Sequence, residues 1–163
     1  MTEYTRIVSW EDPAPYREQM RSLSGAEYVA AVRRGDIPMS PMLKLLDIHG
    51  HEAQSGRALF TVTPQAFHQN PMGIAHGGLA CALLDTAMAV AVISMLPPGV
   101  GYVTLELKVN FTKPMTLDCG ELRAEGQALY VGSRTGTAEG RIYDATGALY
   151  AHGTTTLLLM RPD

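Results

Sequence analysis

A loop rich in glycine leads directly into an apolar segment that carries one acid. The loop spans residues 70–78 and ends in His76-Gly77-Gly78, and the acid is Asp85. The first backbone N–H groups of a helix have no intrahelical partner and carry partial positive charge. Glycine lets a ligand oxygen approach such groups closely. A helix that begins near Gly77 therefore indicates a binding site for an anion, such as the oxyanion of an acyl-transfer reaction.

Asp85 is the candidate base of this site. A lone carboxylate in an apolar helix is costly to bury unless something uses it. Together with the glycine-rich loop, it suggests a site that polarises a carbonyl and activates water. Each residue also has a purely structural interpretation. Asp85 could be a structural acid, the glycine pair could simply join a tight loop to a helix, and Asn70-Pro71 could form a turn.

Composition narrows the class of protein. The 163 residues suffice for one domain with a proper core, and the net charge of −3 argues against general nucleic-acid binding. Residues 79–96 are long enough to raise the question of a membrane span, but Asp85 and Pro97-Pro98 favour a buried helix. The first residues lack the layout of a signal peptide, so we expect a cytoplasmic protein that contacts neither membrane nor nucleic acid.

Neither cysteines nor histidines point to a metal. Cys81 and Cys119 lack metal-like spacing, and His49, His51 and His68 do not combine with a carboxylate at zinc-like spacing. We expect no metal site.

Hydrophobic periodicity predicts the order β-β-α-β-β-β-β. Residues 1–40 form an N-terminal helical extension, with a capping box at Ser24-Gly25-Ala26-Glu27 that opens a helix to about Arg34, and residues 41–163 form the main domain. The predicted long helix covers residues 77–95, and the predicted strands are 45–54, 57–63, 102–112, 119–130, 133–143 and 149–160. A helix that is apolar nearly all round needs cover on most sides, which a strongly curved antiparallel sheet could supply.

Strand 102–112 alternates cleanly between apolar and polar residues. Strict alternation predicts one face with Val103, Leu105, Leu107, Val109 and Phe111, and an opposite face with Thr104, Glu106, Lys108 and Asn110.

Over residues 24–160 the sequence resembles the hotdog-fold acyl-CoA thioesterases, most closely the phenylacetic-acid-degradation type. The residues that carry the resemblance are Asn70, Gly73, His76-Gly77-Gly78, Asp85, strand 103–111 with Lys113-Pro114, and Ala151-His152-Gly153-Thr154. The resemblance implies an α+β hotdog fold, in which a curved antiparallel sheet wraps one long central helix. It also implies subunits that join edge to edge as homodimers, or as dimers of dimers.

The same resemblance implies hydrolysis of an acyl-CoA thioester to free acid and coenzyme A. It assigns the N–H of Gly77 to the thioester carbonyl oxygen, and the side chain of Asn70 to that carbonyl or to the attacking water. Asp85 would act as general base or as direct nucleophile. Thr104 stands where relatives often have a small hydroxyl residue that orients the water.

His76 and Gly78 complete the expected site as substrate-binding residues beside the catalytic amide. Coenzyme A is part of the substrate, so the resemblance implies no separate cofactor.

Helix geometry supports one implied feature independently. Gly77 and Asp85 lie eight residues apart, which is roughly 12 Å along a helix axis. Reacting groups must converge to about 3–3.5 Å on one acyl carbon. If both residues act on one thioester, the acid must come from a second copy of the chain.

Two other functions remain open from the sequence. An acyl-thioester hydratase or dehydratase needs an acid paired with a catalytic histidine, and both His76 and Asp85 are present, although the hydratase Asp-to-His spacing is absent. A non-catalytic acyl-CoA-binding module would usually need an output element, and residues 1–40 contain no convincing helix-turn-helix.

Overall fold

Four α-helices and six strands follow one another in a computed structural model that describes residues 3–161. Three short helices come first, and the fourth lies between the second and third strands. The helices are α1 (Arg17–Ser22), α2 (Gly25–Arg34), α3 (Pro41–Leu45) and α4 (Gly77–Ile93). The strands are β1 (His49–Gln54), β2 (Arg57–Val62), β3 (Gly101–Phe111), β4 (Leu122–Val131), β5 (Thr135–Tyr143) and β6 (Leu149–Met160). None of the described helices has the length and apolar character needed to span a bilayer.

The six strands form one antiparallel sheet in the order β1-β2-β4-β5-β6-β3. Strand β3 follows α4 in the chain but pairs with β6, so it forms one edge of the sheet while β1 forms the other. Helix α4 packs on one face of this sheet. The expected architecture, an antiparallel sheet around one long helix with helices at the N-terminus, is confirmed.

Glycines in register bring the sheet close to α4. Gly126 of β4 pairs with Gly140 of β5, which pairs with Gly153 of β6. A Cβ on Gly126 would overlap the carbonyl oxygen of Ala87, and one on Gly140 would lie 2.8 Å from Cγ of Met88. Only residues without side chains allow this close approach of sheet to helix.

The sheet of one chain covers most of α4 but not all of it. The helix side chains that face the sheet are fully buried, among them Leu83, Leu84, Met88 and Val92. One stripe of the helix is only partly covered, and we call it the open stripe: Gly77, Gly78, Cys81, Ala82 and Asp85. The expectation that the helix is enclosed on most sides is confirmed, with the open stripe as the exception.

A β-bulge in β3 corrects the predicted faces of that strand. Thr104 pairs with Leu157 of β6, but Glu106 pairs with Thr156, so Leu105 is an extra residue without a partner. The extra residue reverses the alternation. Thr104 therefore lies on the same, helix-facing side of the strand as Leu107, Val109 and Phe111. Strict alternation had placed Thr104 on the opposite side.

The part of the chain up to β1 confirms one local prediction and corrects another. Ser24 and Glu27 form the expected capping box of α2, and Gly35 ends the helix with φ of 81°. The predicted strand 45–54 was too long at its start. Pro41 occupies the first turn of α3, and strand β1 begins only at His49.

Other boundaries differ by a few residues. The long helix ends at Ile93 rather than at residue 95, because the amides of Met95 and Leu96 bond three residues back, as in a tightened last turn.

Replacement of Gly126 by alanine tests the close contact between sheet and helix. We expect Gly126→Ala to lower the free energy of unfolding by at least about 2 kcal/mol, because the new methyl group must displace the backbone of α4. Urea titration measures the change. Gln127→Ala, on the exposed face of the same strand, should differ little from the wild type. Equal stability of the two variants would contradict the proposed contact.

Candidate active site

The start of α4 presents one unused backbone donor. His76 is the N-cap residue, and its Nδ1 accepts a hydrogen bond from the N–H of Gly78 at 2.9 Å. No protein acceptor within residues 3–161 bonds the N–H of Gly77. Of the two glycine amides, that of Gly78 is therefore occupied, and that of Gly77 is available to a ligand.

Asn70 shapes the loop that leads to this helix. Its Oδ1 accepts from the N–H of Met72 at 2.9 Å, and its backbone N–H donates to Ile74 at 2.8 Å. Gly73 closes the turn with φ of 79° and donates its N–H to the Asn70 carbonyl. The side-chain oxygen of Asn70 thus has the structural role expected of a turn residue. Its Nδ2 amide has no bonded partner in the described part of the chain.

Buried His68 fixes the base of the same loop. Its carbonyl accepts from the N–H of His76 at 2.7 Å, its Nδ1 accepts from the N–H of Gln65, and its Nε2 contacts the Leu46 carbonyl. Burial lowers the pKa of the His68 imidazole below its usual value. His68 is therefore a neutral structural residue that anchors the approach to α4.

The candidate base lies two turns further along the open stripe. Asp85 is half-buried, and its Oδ1 accepts a hydrogen bond from Oγ1 of Thr104 at 2.9 Å. This bond exists because the bulge at Leu105 turns Thr104 toward the helix. The bond orients the carboxylate and leaves its Oδ2 unpaired within the described chain.

Strand β3 borders the whole open stripe. A Cβ on Gly77 would lie 3.2 Å from the ring of Phe111, near one end of β3, while Thr104 contacts Asp85 nearer the other end. Burial of the phenol, together with nearby Tyr28 and Asp85, raises the pKa of Tyr102 to about 12. Tyr102 therefore stays a neutral hydrogen-bonding group at this end of the strand.

The structure groups the candidate residues into two clusters. Asn70, His76, Gly77 and Gly78 lie at the N-terminal end of α4, whereas Asp85 and Thr104 lie two turns along. Sequence reasoning missed Tyr102 and Phe111 as neighbours of the site, because nothing in a strand pattern reveals which residues flank a helix. Across residues 3–161, no three His, Cys, Asp or Glu side chains are grouped so that they could hold a metal ion.

This chain resembles known proteins in sequence and in fold. The family model described as the thioesterase superfamily matches residues 72–151, which include Gly77, Asp85 and Thr104. A provisionally named esterase of Halobacterium salinarum is 30% identical over 119 residues, which span 70% of this chain and 77% of the relative.

Two solved structures extend the likeness. The PaaI protein of the E. coli phenylacetic acid degradation operon is 26% identical with a TM-score of 0.72, over 85% of this chain and 96% of that one. A conserved protein of Pseudomonas aeruginosa is 26% identical with a TM-score of 0.71, over 90% and 100% of the two chains.

The chain belongs to the thioesterase superfamily, and its fold is the hotdog fold. The general chemistry that this membership supports is hydrolysis of an acyl thioester.

Removal of the Thr104 hydroxyl tests its bond to Asp85. We expect Thr104→Val to lower kcat for thioester hydrolysis about tenfold, the effect of losing one hydrogen bond to a charged group. Thr104→Ser keeps the donor and should stay within about threefold of the wild type. Thr154→Val, on the exposed face of β6, is the matched control. Wild-type kcat in Thr104→Val would refute an orienting role for this hydroxyl.

Proposed function

We propose that this protein hydrolyses an acyl-CoA thioester to a free carboxylic acid and coenzyme A. The observation that carries the proposal is the hydrogen bond from Thr104 that orients Asp85 on the open stripe of α4. The first amide of the same helix, that of Gly77, has no protein partner among residues 3–161. A positioned carboxylate can supply the general base for ester-type hydrolysis, and an unused helix N-terminal amide can supply a donor to the oxyanion.

In the proposed reaction, Asp85 acts as general base. Its unpaired Oδ2 takes a proton from a water molecule, whose oxygen attacks the thioester carbonyl carbon. The N–H of Gly77 donates to the oxyanion of the tetrahedral intermediate, and Nδ2 of Asn70 is the second candidate donor. The C–S bond then breaks, and the coenzyme A thiolate takes up the proton.

We further propose that each site is built from two chains. Gly77 and Asp85 are separated by roughly 12 Å along α4, so they reach one acyl carbon only if they belong to different subunits. Strand β3 is an edge strand of the sheet that the described residues form, and its apolar side chains Val103, Leu105 and Phe111 are 44%, 57% and 56% exposed. Such an edge favours pairing with a second copy. The proposed enzyme is thus a cytoplasmic homodimer, or a dimer of such dimers.

The competing functions make different predictions for the same assay. In the single chain, Nδ1 of His76 is committed to the helix cap rather than to an acid, which argues against a hydratase that pairs the two. A hydratase would add water to a 2-enoyl thioester without releasing thiol. A binding module would retain acyl-CoA with no turnover.

Asp85→Asn tests the proposed base. The amide keeps the shape and accepts the Thr104 hydrogen bond but takes no proton from water, so we expect kcat to fall at least about a hundredfold. Thiol release from acyl-CoA, followed with a thiol-reactive dye, measures the loss. Asp36→Asn removes a surface carboxylate paired with Arg34 and should keep full activity. Turnover by Asp85→Asn at the wild-type rate would end the proposal.

Mixed dimers test the shared site. Gly77→Pro removes the proposed donor while suiting the first turn of a helix, and His76 already has the extended backbone, with φ of −60° and ψ of 137°, that precedes proline. Neither Gly77→Pro nor Asp85→Asn should be active alone. Co-expressed mixed dimers should recover up to about half of the activity of a wild-type dimer. One of their two sites has both wild-type groups, and the other has neither.

Isolation of the mixed dimer with two different affinity tags provides the control that it forms. A folded mixed dimer with no recovered thiol release would contradict a site built from two chains.

A further inference from the structure

Two cavities lie beneath helix α2 of the N-terminal extension. The first, which we call the α2–β1 cavity, has a volume of about 210 Å³ and is bounded by Val29 and Val32 of α2, Phe60 of β2 and Val90 of α4. The second, the α2–β3 cavity, has a volume of about 390 Å³ and lies at the far end of α4, against Leu96 and Tyr102. Apolar side chains form most of the walls of both, and Arg33, His51 and Glu52 also line the α2–β1 cavity.

Residues near the candidate base line both cavities, although Asp85 itself is not among the lining residues of either. Thr86, the residue after Asp85, lines the α2–β1 cavity, and Val90 lines it one helical turn later. Tyr102, which lies two residues before Thr104 on β3, lines the α2–β3 cavity. An acyl chain whose carbonyl carbon lies at Asp85 therefore has apolar space ahead of it in this direction.

Tyr28 is the residue common to both cavities. It projects from α2, is half-buried, and stands between the space beside Val90 and the space beside Tyr102. Burial raises the pKa of its phenol, so the side chain is neutral at physiological pH. Its ring is therefore a partition between two apolar compartments.

Helix α2 is fixed firmly enough to act as a wall. The N–H of Gly25 donates to the Leu96 carbonyl at 3.1 Å, and a Cβ on Gly25 would overlap the carbonyl of Ile93. At its other end, Ala31 and the following Ile37 are 3% and 0% exposed. The partition thus has a defined position relative to α4.

We propose that the α2–β1 cavity receives the acyl group of the substrate and that Tyr28 sets the upper limit of acyl length. An apolar cavity of about 150 Å³ holds benzene, so a cavity of about 210 Å³ suits an apolar acyl group of about eight carbon atoms. A longer chain has to displace Tyr28 to reach the α2–β3 cavity. This inference rests on the proposed thioester hydrolysis.

The test is a series of saturated acyl-CoA thioesters from four to sixteen carbons. For the wild type, we expect kcat/KM to be highest near eight carbons and to fall steeply for longer chains. Tyr28→Ala joins the two cavities and should raise kcat/KM for the fourteen-carbon substrate at least about tenfold relative to the eight-carbon one. Tyr28→Phe keeps the ring and should retain the wild-type profile.

Further variants keep the test decisive if Tyr28→Ala folds poorly. Tyr28→Leu also opens the partition, and Val32→Phe narrows the α2–β1 cavity and should shift the optimum to shorter chains. Arg34→Ala, on the exposed part of α2, is the matched control. Unchanged chain-length profiles in Tyr28→Leu and Val32→Phe, or the same shift in Tyr28→Phe as in Tyr28→Ala, would overturn the inference.

Calorimetric binding of the same series separates this inference from the proposed function. If the wild type releases no thiol from any member, thioester hydrolysis is refuted. The dissociation constants for wild type and Tyr28→Ala then decide the role of Tyr28. A chain-length preference in binding that Tyr28→Ala relaxes supports the partition, and identical preferences in both proteins refute it.

Discussion

A long apolar helix needs cover on every side, and the sheet of a single chain leaves one stripe of it open. Gly126 of β4 and Gly140 of β5 let the sheet lie close against α4, so the covered faces are tightly packed. On the uncovered face lie Gly77 and Asp85. In our proposal, this incomplete burial serves two purposes: a second copy pairs along this face, and the carboxylate and the helix amide stay accessible to substrate.

One extra residue in β3 links the sheet to the chemistry. Without the bulge at Leu105, the pairing with β6 would place Thr104 on the face away from the helix. With it, the Thr104 hydroxyl bonds Asp85, while the rest of the strand keeps its apolar contacts with α4. The bulge thus re-aims the first residues of the strand, Thr104 among them, relative to the residues that follow it.

The sequence predicted those features that depend on local signals. The capping box of α2, the start of α4 at Gly77 and the existence of all six strands follow from residue types a few positions apart. The bulge could not be predicted, because alternation in strand 102–112 is unbroken and the partner strand decides the register. Helix α3 was missed because a helix of five residues, here after Ser40 and Pro41, is too short to leave a periodic pattern. The loop, the acid and the family resemblance predicted the candidate site residues, and their catalytic roles stay predictions. The role proposed for Tyr28 could not be predicted from the sequence, because it depends on how α2 packs against the rest of the fold.

The central claim is that the amide of Gly77 and the carboxylate of Asp85 meet on one thioester across two subunits. A crystal structure with an acyl-CoA analogue whose sulfur is replaced by methylene tests it most directly. We expect the carbonyl oxygen of the analogue to lie within about 3 Å of the Gly77 nitrogen of one chain. We also expect the Asp85 carboxylate of the other chain to lie about 3.5 Å from the carbonyl carbon. An analogue carbonyl bound by both residues of a single chain, or bound away from Gly77, would contradict the central claim.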